Sequence, residues 1–126
     1  MLTKEQLLQA TIEKEKVDLL GDHAYVRGMT GTERDQWEQW CLFKRKNSKT
    51  ETVENFRASL VVRTVCDEGG VRLFTDTDLA AVGGMPGALL DKLYEIGARL
   101  SGVSNDDAEK LGKNSESDQS DGSTSA

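Results

Sequence analysis

Apolar positions along the chain recur in two rhythms, one with the three-to-four-residue period of helices and one with the alternation of strands. Near the start, Thr3 and Gln6 stand at the spacing of a reciprocal helix cap, and Leu7, Leu8 and Ala10 follow. An isolated helix this short is marginal in water, so residues 1–15 read as a short helix or arm outside the main body. Val17, Leu19 and Leu20 then precede Gly21-Asp22, with Tyr25 and Val26 beyond. That pattern predicts two short antiparallel strands with Gly21 and Asp22 in their connection, covering a helical core.

Helical periodicity strengthens downstream. Thr30 with Glu33, or Thr32 with Asp35, caps a helix on which Trp37, Trp40, Cys41 and Lys44 share a face while Phe43 extends the aromatic coverage. The segment NSKTET ends it. Val53, Phe56, Leu60, Val61, Thr64 and Val65 then follow helical steps; the β-branched run LVV and TV also suits a buried strand, and the periodicity favours the helix. Gly69 and Gly70 permit a reversal, and VRLF reads as a brief extended crossing. Thr75 and Asp78 cap a short helix over Leu79 to Val82, closed by Gly83-Gly84, and Pro86 suits the first turn of the next. In that last helix Leu89, Leu93, Ile96 and Leu100 define a packing stripe that Leu90 and Tyr94 widen, with Gly97 placed for a close helix contact. The expected fold is mainly α with a small antiparallel β element, a compact single α+β domain with a helical packing core.

Composition changes the picture at the C-terminal end. From Ser101 onward the chain is rich in Ser, Asp and Gly, with Val103 and Leu111 its sizeable apolar groups, and it reads as an unfolded acidic extension. Asp106, Asp107, Glu109, Glu116, Asp118 and Asp121 against Lys110 and Lys113 account for −4 of the formal −6, leaving −2 for the body. That balance disfavours nonspecific nucleic-acid binding, and the cluster Lys44, Arg45, Lys46 and Lys49 is explained more simply as a solvated helix end. Neither a leader nor a run long enough to cross a membrane is present, which predicts a cytoplasmic protein with no membrane partner.

The candidate chemistry is sparse. Cys41, Cys66 and His23 are three scattered soft ligands where a structural zinc needs four, and the cysteines read as ordinary thiols. His23 beside Asp22 reads as a surface histidine. Asp67-Glu68 and Asp76 with Asp78 miss the calcium-loop pattern, because Ala80 occupies a ligand position. Gly83-Gly84-Met85-Pro86-Gly87 lacks the lysine and hydroxyl of a phosphate loop. No metal, cofactor or catalytic set is implied, and binding is a better expectation than turnover.

Three stretches taken in order carry a family resemblance. They are Tyr25-Val26-Arg27-Gly28-Met29-Thr30-Gly31 with Glu33-Arg34-Asp35, then Arg57 through Glu68, then Arg72-Leu73-Phe74-Thr75-Asp76 with Asp78 before the Leu89-to-Leu100 helix. Their order and spacing resemble the tail assembly chaperones of long-tailed, noncontractile bacteriophages over residues 16–112, leaving 113–126 as a disordered acidic tail. The resemblance implies a noncatalytic assembly factor in the host cytoplasm, absent from the mature virion, which binds the tape-measure protein before the tail tube polymerises. It also implies that a longer, frameshifted form engages the tail tube protein, while self-association would strengthen multivalent binding along the tape. The candidate protein-binding residues are Trp37, Trp40, Phe43, Phe56, Leu93 and Tyr94, with Trp40, Phe43 and Tyr94 expected nearest the surface. The same aromatic face serves either the core or a partner, and a small cytoplasmic regulatory protein-binding module is the alternative function.

Overall fold

The computed structural model describes residues 1–49 and 52–112. The acidic tail expected over 113–126 lies outside the described residues, as do Thr50 and Glu51 of the break after the aromatic helix. The chain runs α1 (Lys4–Leu8), β1 (Lys14–Leu19), β2 (Asp22–Arg27), α2 (Gly31–Lys46), α3 (Phe56–Thr64), β3 (Val65–Cys66), a 3₁₀ turn (Asp76–Asp78), α4 (Leu79–Gly83), α5 (Gly87–Leu100) and α6 (Asn105–Leu111). It is mainly helical with one small antiparallel sheet of order β1-β2-β3, as its sequence pattern predicts.

Local chemistry explains most boundaries. Thr3 and Gln6 form the expected reciprocal cap of α1, and Thr30 and Glu33 that of α2, settling the earlier of the two starts. The β1-β2 hairpin differs in its turn: Leu19 pairs with Asp22, so the connection is Leu20-Gly21 rather than Gly21-Asp22. A two-residue turn of this hand needs positive φ at both positions, and Leu20 (54°) and Gly21 (76°) supply it. Both readings of the β-branched segment hold in part. Helix α3 ends at Thr64, and Val65–Cys66 continue as a strand beside Val26 and Tyr25. Gly70, with φ at 88°, makes the reversal that returns Arg72 to bridge Cys66. Pro86 stands at the N-cap of α5, one residue before the first turn.

Helix α3 forms the centre of the core. Phe56, Ala58, Leu60, Val61 and Val62 are buried with Val26, Trp37, Val82, Leu93 and Tyr94 around them. Against it, α5 presents Leu90, Leu93, Tyr94, Gly97 and Ala98, while Leu89, Ile96 and Leu100 are half-buried flanks, so the packing stripe is rotated from the expected one. The cause is Gly97. A Cβ there would stand 2.7 Å from Thr64 Oγ1 and 2.9 Å from Leu60 Cδ2, so the missing side chain lets α5 sit down on α3 along this line.

The acidic stretch after Ser101 contradicts its composition. Ser104 and Asp107 cap α6, and Val103, Ala108 and Leu111 are buried in the main core. Arg34 of α2 explains the docking: its guanidinium donates to the Ser101 and Gly102 carbonyls at 3.2 Å and pairs with Asp107 at 3.3 Å. At the other end, Arg45 donates to the Glu109 and Lys110 carbonyls, and the Gly112 carbonyl accepts from the Val53 amide at 3.1 Å. Neighbouring helix surface, absent from a count of the segment's own apolar groups, stabilises it.

A second clamp joins sheet and helix. Arg27 is buried, and its Nη1 and Nη2 donate to both Glu33 carboxylate oxygens at 3.0 and 2.8 Å, while the same carboxylate accepts from the Thr30 amide. The Arg27 hydrogen bond holds Glu33 below the usual carboxylate range, against the opposing effect of its burial.

Two outcomes follow. Gly97→Ala adds a methyl where Thr64 and Leu60 leave no room, so urea melts should show a net loss of about 1–2 kcal/mol despite the better helix propensity of Ala. Gly87→Ala, which meets nothing within 4 Å, should be neutral or slightly stabilising; equal effects at the two sites would count against the close crossing. Glu33 has a depressed folded-state pKa, so its stabilisation is present above the ordinary carboxylate range and is lost as pH falls through the folded value. Glu33→Gln keeps the cap but removes the charge opposite Arg27. It should cost about 2–3 kcal/mol at neutral pH and flatten the acid side of the stability-against-pH curve. An unchanged acid slope would contradict this assignment.

Candidate protein-docking face

Helix α2 positions every aromatic residue of the first candidate group. Trp37 and Cys41 lie one turn apart and face α3, both fully buried. Trp37 Nε1 donates to Ser59 Oγ at 2.8 Å, and that hydroxyl in turn donates to the Phe56 carbonyl, so the indole is anchored at both its apolar and polar ends. The Trp37 and Phe56 ring centroids are 5.6 Å apart, and those of Phe56 and Tyr94 5.9 Å, in tilted contacts that run from α2 through α3 to α5. Leu93 is buried on the same side of α5.

Four of the six sequence-predicted residues, Trp37, Phe56, Leu93 and Tyr94, are therefore brought together as one interior cluster. For Tyr94 this corrects an expectation of exposure: its side chain is only 4% exposed, because the rotation imposed by Gly97 turns it inward. Burial pushes the Tyr94 phenol up to about 12 and the Cys41 thiol also up to about 12, so both are neutral across the physiological range. A thiol held in this state is no nucleophile.

Trp40 and Phe43 sit elsewhere. Trp40 is half-buried at the margin of the core, with Lys44 Nζ 5.9 Å from its ring centroid. Phe43 is 62% exposed, and beside it Leu42 is 55% exposed. Asn47 Nδ2 donates to the Phe43 carbonyl at 2.7 Å, closing the helix just past this pair. Leu42 is the member that sequence reading missed. Its signal was present in the helical wheel: with Trp37 and Cys41 inward, the following two residues turn progressively away from the core by about 100° each. Leu42 and Phe43 are thus the exposed large apolar side chains of α2, and half-buried Trp40 lies about one turn before Phe43.

Other apolar groups reach solvent at separate places. Leu2, Leu7 and Leu8 lie on or beside α1, which buries no residue, Leu20 tips the hairpin, and Val71 and Leu73 lie on the loop after β3. His23 is partly exposed, with Nδ1 3.1 Å from Asp22. Among the described residues, no three His, Cys, Asp or Glu side chains come together as a metal-holding group, and no helix is long and apolar enough to cross a membrane.

The stretches that carry the family resemblance prove to be joints of the fold. Arg27 and Glu33 form the clamp described above; Arg57 pairs with Asp91 of α5 at 2.7 Å; Arg63 donates to the Ser59 carbonyl at 2.6 Å. Arg72 Nε donates to the Val62 carbonyl at 3.0 Å, and its Nη2 pairs with Asp76 at 3.2 Å, fixing the loop to α3.

No family model and no curated protein matches the sequence. Among solved structures, the bacteriophage HK97 tail assembly chaperone is similar, with a TM-score of 0.55 and 17% sequence identity over 80% of this chain and 95% of that chain. The likeness is one of fold.

Proposed function

We propose that the protein is a noncatalytic phage tail assembly chaperone, which binds the tape-measure protein in the host cytoplasm and keeps it competent for tail tube assembly. The observation that carries this reading is the fold likeness to the HK97 tail assembly chaperone, which extends over nearly all of that chain. The sequence resemblance over residues 16–112 supports it independently of the coordinates.

The contact falls to α2. Leu42 and Phe43, the exposed large apolar side chains of α2, offer apolar contacts to the helix-forming segments of a tape-measure chain before the tube encloses it. Trp37, Phe56, Leu93 and Tyr94 support that pair from within, since they fix α2 against α3 and α5. Each contact need not be tight: several copies on one long tape raise the effective concentration of every neighbour, and self-association adds to the effect. The tail tube protein would be reached by a longer frameshifted form, and the protein would be absent from the finished virion.

The test is coexpression with overlapping tape-measure fragments, followed by mass measurement of the purified complexes. Selective capture of particular fragments with several copies per fragment is expected. Replacing Leu42 and Phe43 together by Ser should lower affinity by about tenfold or more at unchanged unfolding midpoint, whereas Leu20→Ala, at an exposed site on the hairpin tip, should leave it unchanged. Capture of an unrelated regulator with no affinity for the tape would instead favour a small regulatory protein-binding module using the same face.

A further inference from the structure

Strand β1 lies at one margin of the sheet, with β2 on one side and, among the described residues, no strand on the other. The hairpin register shows which of its backbone groups face that open side. Leu19 and Asp22 flank the two-residue turn as a hydrogen-bonded pair, so the odd-numbered positions of β1 bond to β2. The Gly28 amide donates to the Glu13 carbonyl at 3.1 Å, in the same parity. The amides and carbonyls of Lys14, Lys16 and Asp18 therefore point away from β2. Lys92 Nζ of α5 donates to the Asp18 carbonyl at 3.1 Å from that open side.

Side chains alternate in the same way. Val17 is buried and Glu15 and Leu19 are half-buried on the inner face, where Glu15 accepts from Arg99 of α5 at 2.7 Å. Lys14, Lys16 and Asp18 are exposed on the outer face, and Lys14 is turned to the Glu68 carbonyl and the Tyr25 ring. Charges on such an edge discourage indiscriminate pairing. They also select what can pair with it. Two copies of β1 that meet antiparallel about a twofold axis must align even positions with even positions, so that outward amides meet outward carbonyls. Aligning Lys14 with Lys14, Lys14 with Lys16, Lys16 with Lys16 or Asp18 with Asp18 opposes like charges. Aligning Lys16 of one copy with Asp18 of the other opposes unlike charges twice and sets the two Val17 residues opposite each other on the axis.

We propose that β1 is a self-complementary edge, which pairs with β1 of a second copy in this last alignment to make one continuous sheet with three strands from each copy. Lys16 and Asp18 then exchange main-chain bonds with their counterparts, and the Asp18 carbonyl keeps a lone pair for the incoming amide beside its bond to Lys92. Half-buried Leu19 comes opposite Glu15 of the other copy, whose aliphatic stem covers it. The contact is small, so it forms and breaks with protein concentration, and its two outer charge pairs weaken in salt. It stands whether or not the protein binds a tape-measure chain.

Sedimentation equilibrium of the intact chain at low salt, over a concentration series, tests the pairing, with each variant's unfolding midpoint measured alongside. The unchanged chain should show a reversible monomer-dimer equilibrium. Lys16→Asp alone and Asp18→Lys alone each oppose like charges twice, and each should weaken dimerisation by about tenfold or more at a similar midpoint. An equimolar mixture of the two variants should recover it to within about fivefold, because one copy then presents two carboxylates to the other's two ammonium groups. A chain that stays monomeric to about 0.5 mM, single variants that dimerise as well as the unchanged chain, or a mixture no stronger than its components would each overturn the proposal. In a second measurement on the unchanged chain, hydrogen exchange of the Lys16 and Asp18 amides should slow as dimer forms. Exchange that ignores dimer formation would place the contact elsewhere and overturn it as well.

Discussion

Seven of the nine residues of α3 are buried, so this short helix must be enclosed on nearly every side, and the rest of the molecule is arranged to do it. Its polar backbone is satisfied along its own axis, and its two buried hydroxyls find partners: Thr64 donates to the Leu60 carbonyl at 3.0 Å, and Ser59 joins Trp37 to the Phe56 carbonyl. Helix α2 covers it with an indole, α5 with a ridge interrupted by Gly97, and α4 with Val82. The sheet takes over where α3 ends, because Val65 and Cys66 pass directly from the helix into pairing with β2. An enclosed helix with little polar surface leaves small freedom in how its neighbours are oriented. That is why one missing Cβ decides the rotation of α5.

Much of this was legible where the signal is local. The caps at Thr3 and Thr30, the hairpin, the reversal at Gly69-Gly70 and the break at Gly83-Gly84 each depend on residues close in sequence, and each occurs near its expected place. Period was legible on α5, but phase was not. Leu89, Ile96 and Leu100 have the spacing of a buried face, yet the deepest line runs through Leu90, Leu93, Tyr94 and Gly97, because the partner helix approaches at the glycine. The hardest element was α6. Its few apolar groups are too sparse to argue for folding alone, and the arginines that hold it lie 64–73 residues earlier in the chain.

The candidate site divides for the same reason. Aromatic residues at helical spacing mark a face that something must cover, without saying whether the cover belongs to the same chain. For Trp37, Phe56, Leu93 and Tyr94 the cover is this chain itself, whereas at Phe43 the ring stands in solvent. Leu42 joins Phe43 because Trp37 and Cys41 set the inward line of α2, and steps of about 100° carry both of the next two residues away from it. The inner residues thus determine how firmly α2 is held, and the outer ones what it displays.

The long-range closure by α6 bears on how the protein is made. Helix α2 leaves the ribosome early, yet the segment that seals its flank, from Val103 to Gly112, is synthesised last among the described elements. During translation the sealing surface stands open until those residues emerge, so the flank of α2 does not close stepwise as that helix is made but waits for contacts 64–73 residues further along the chain. A nascent chain stalled before Ser104 would expose the bed that Ala108 and Leu111 fill, and would have to be shielded by some other surface until α6 arrives.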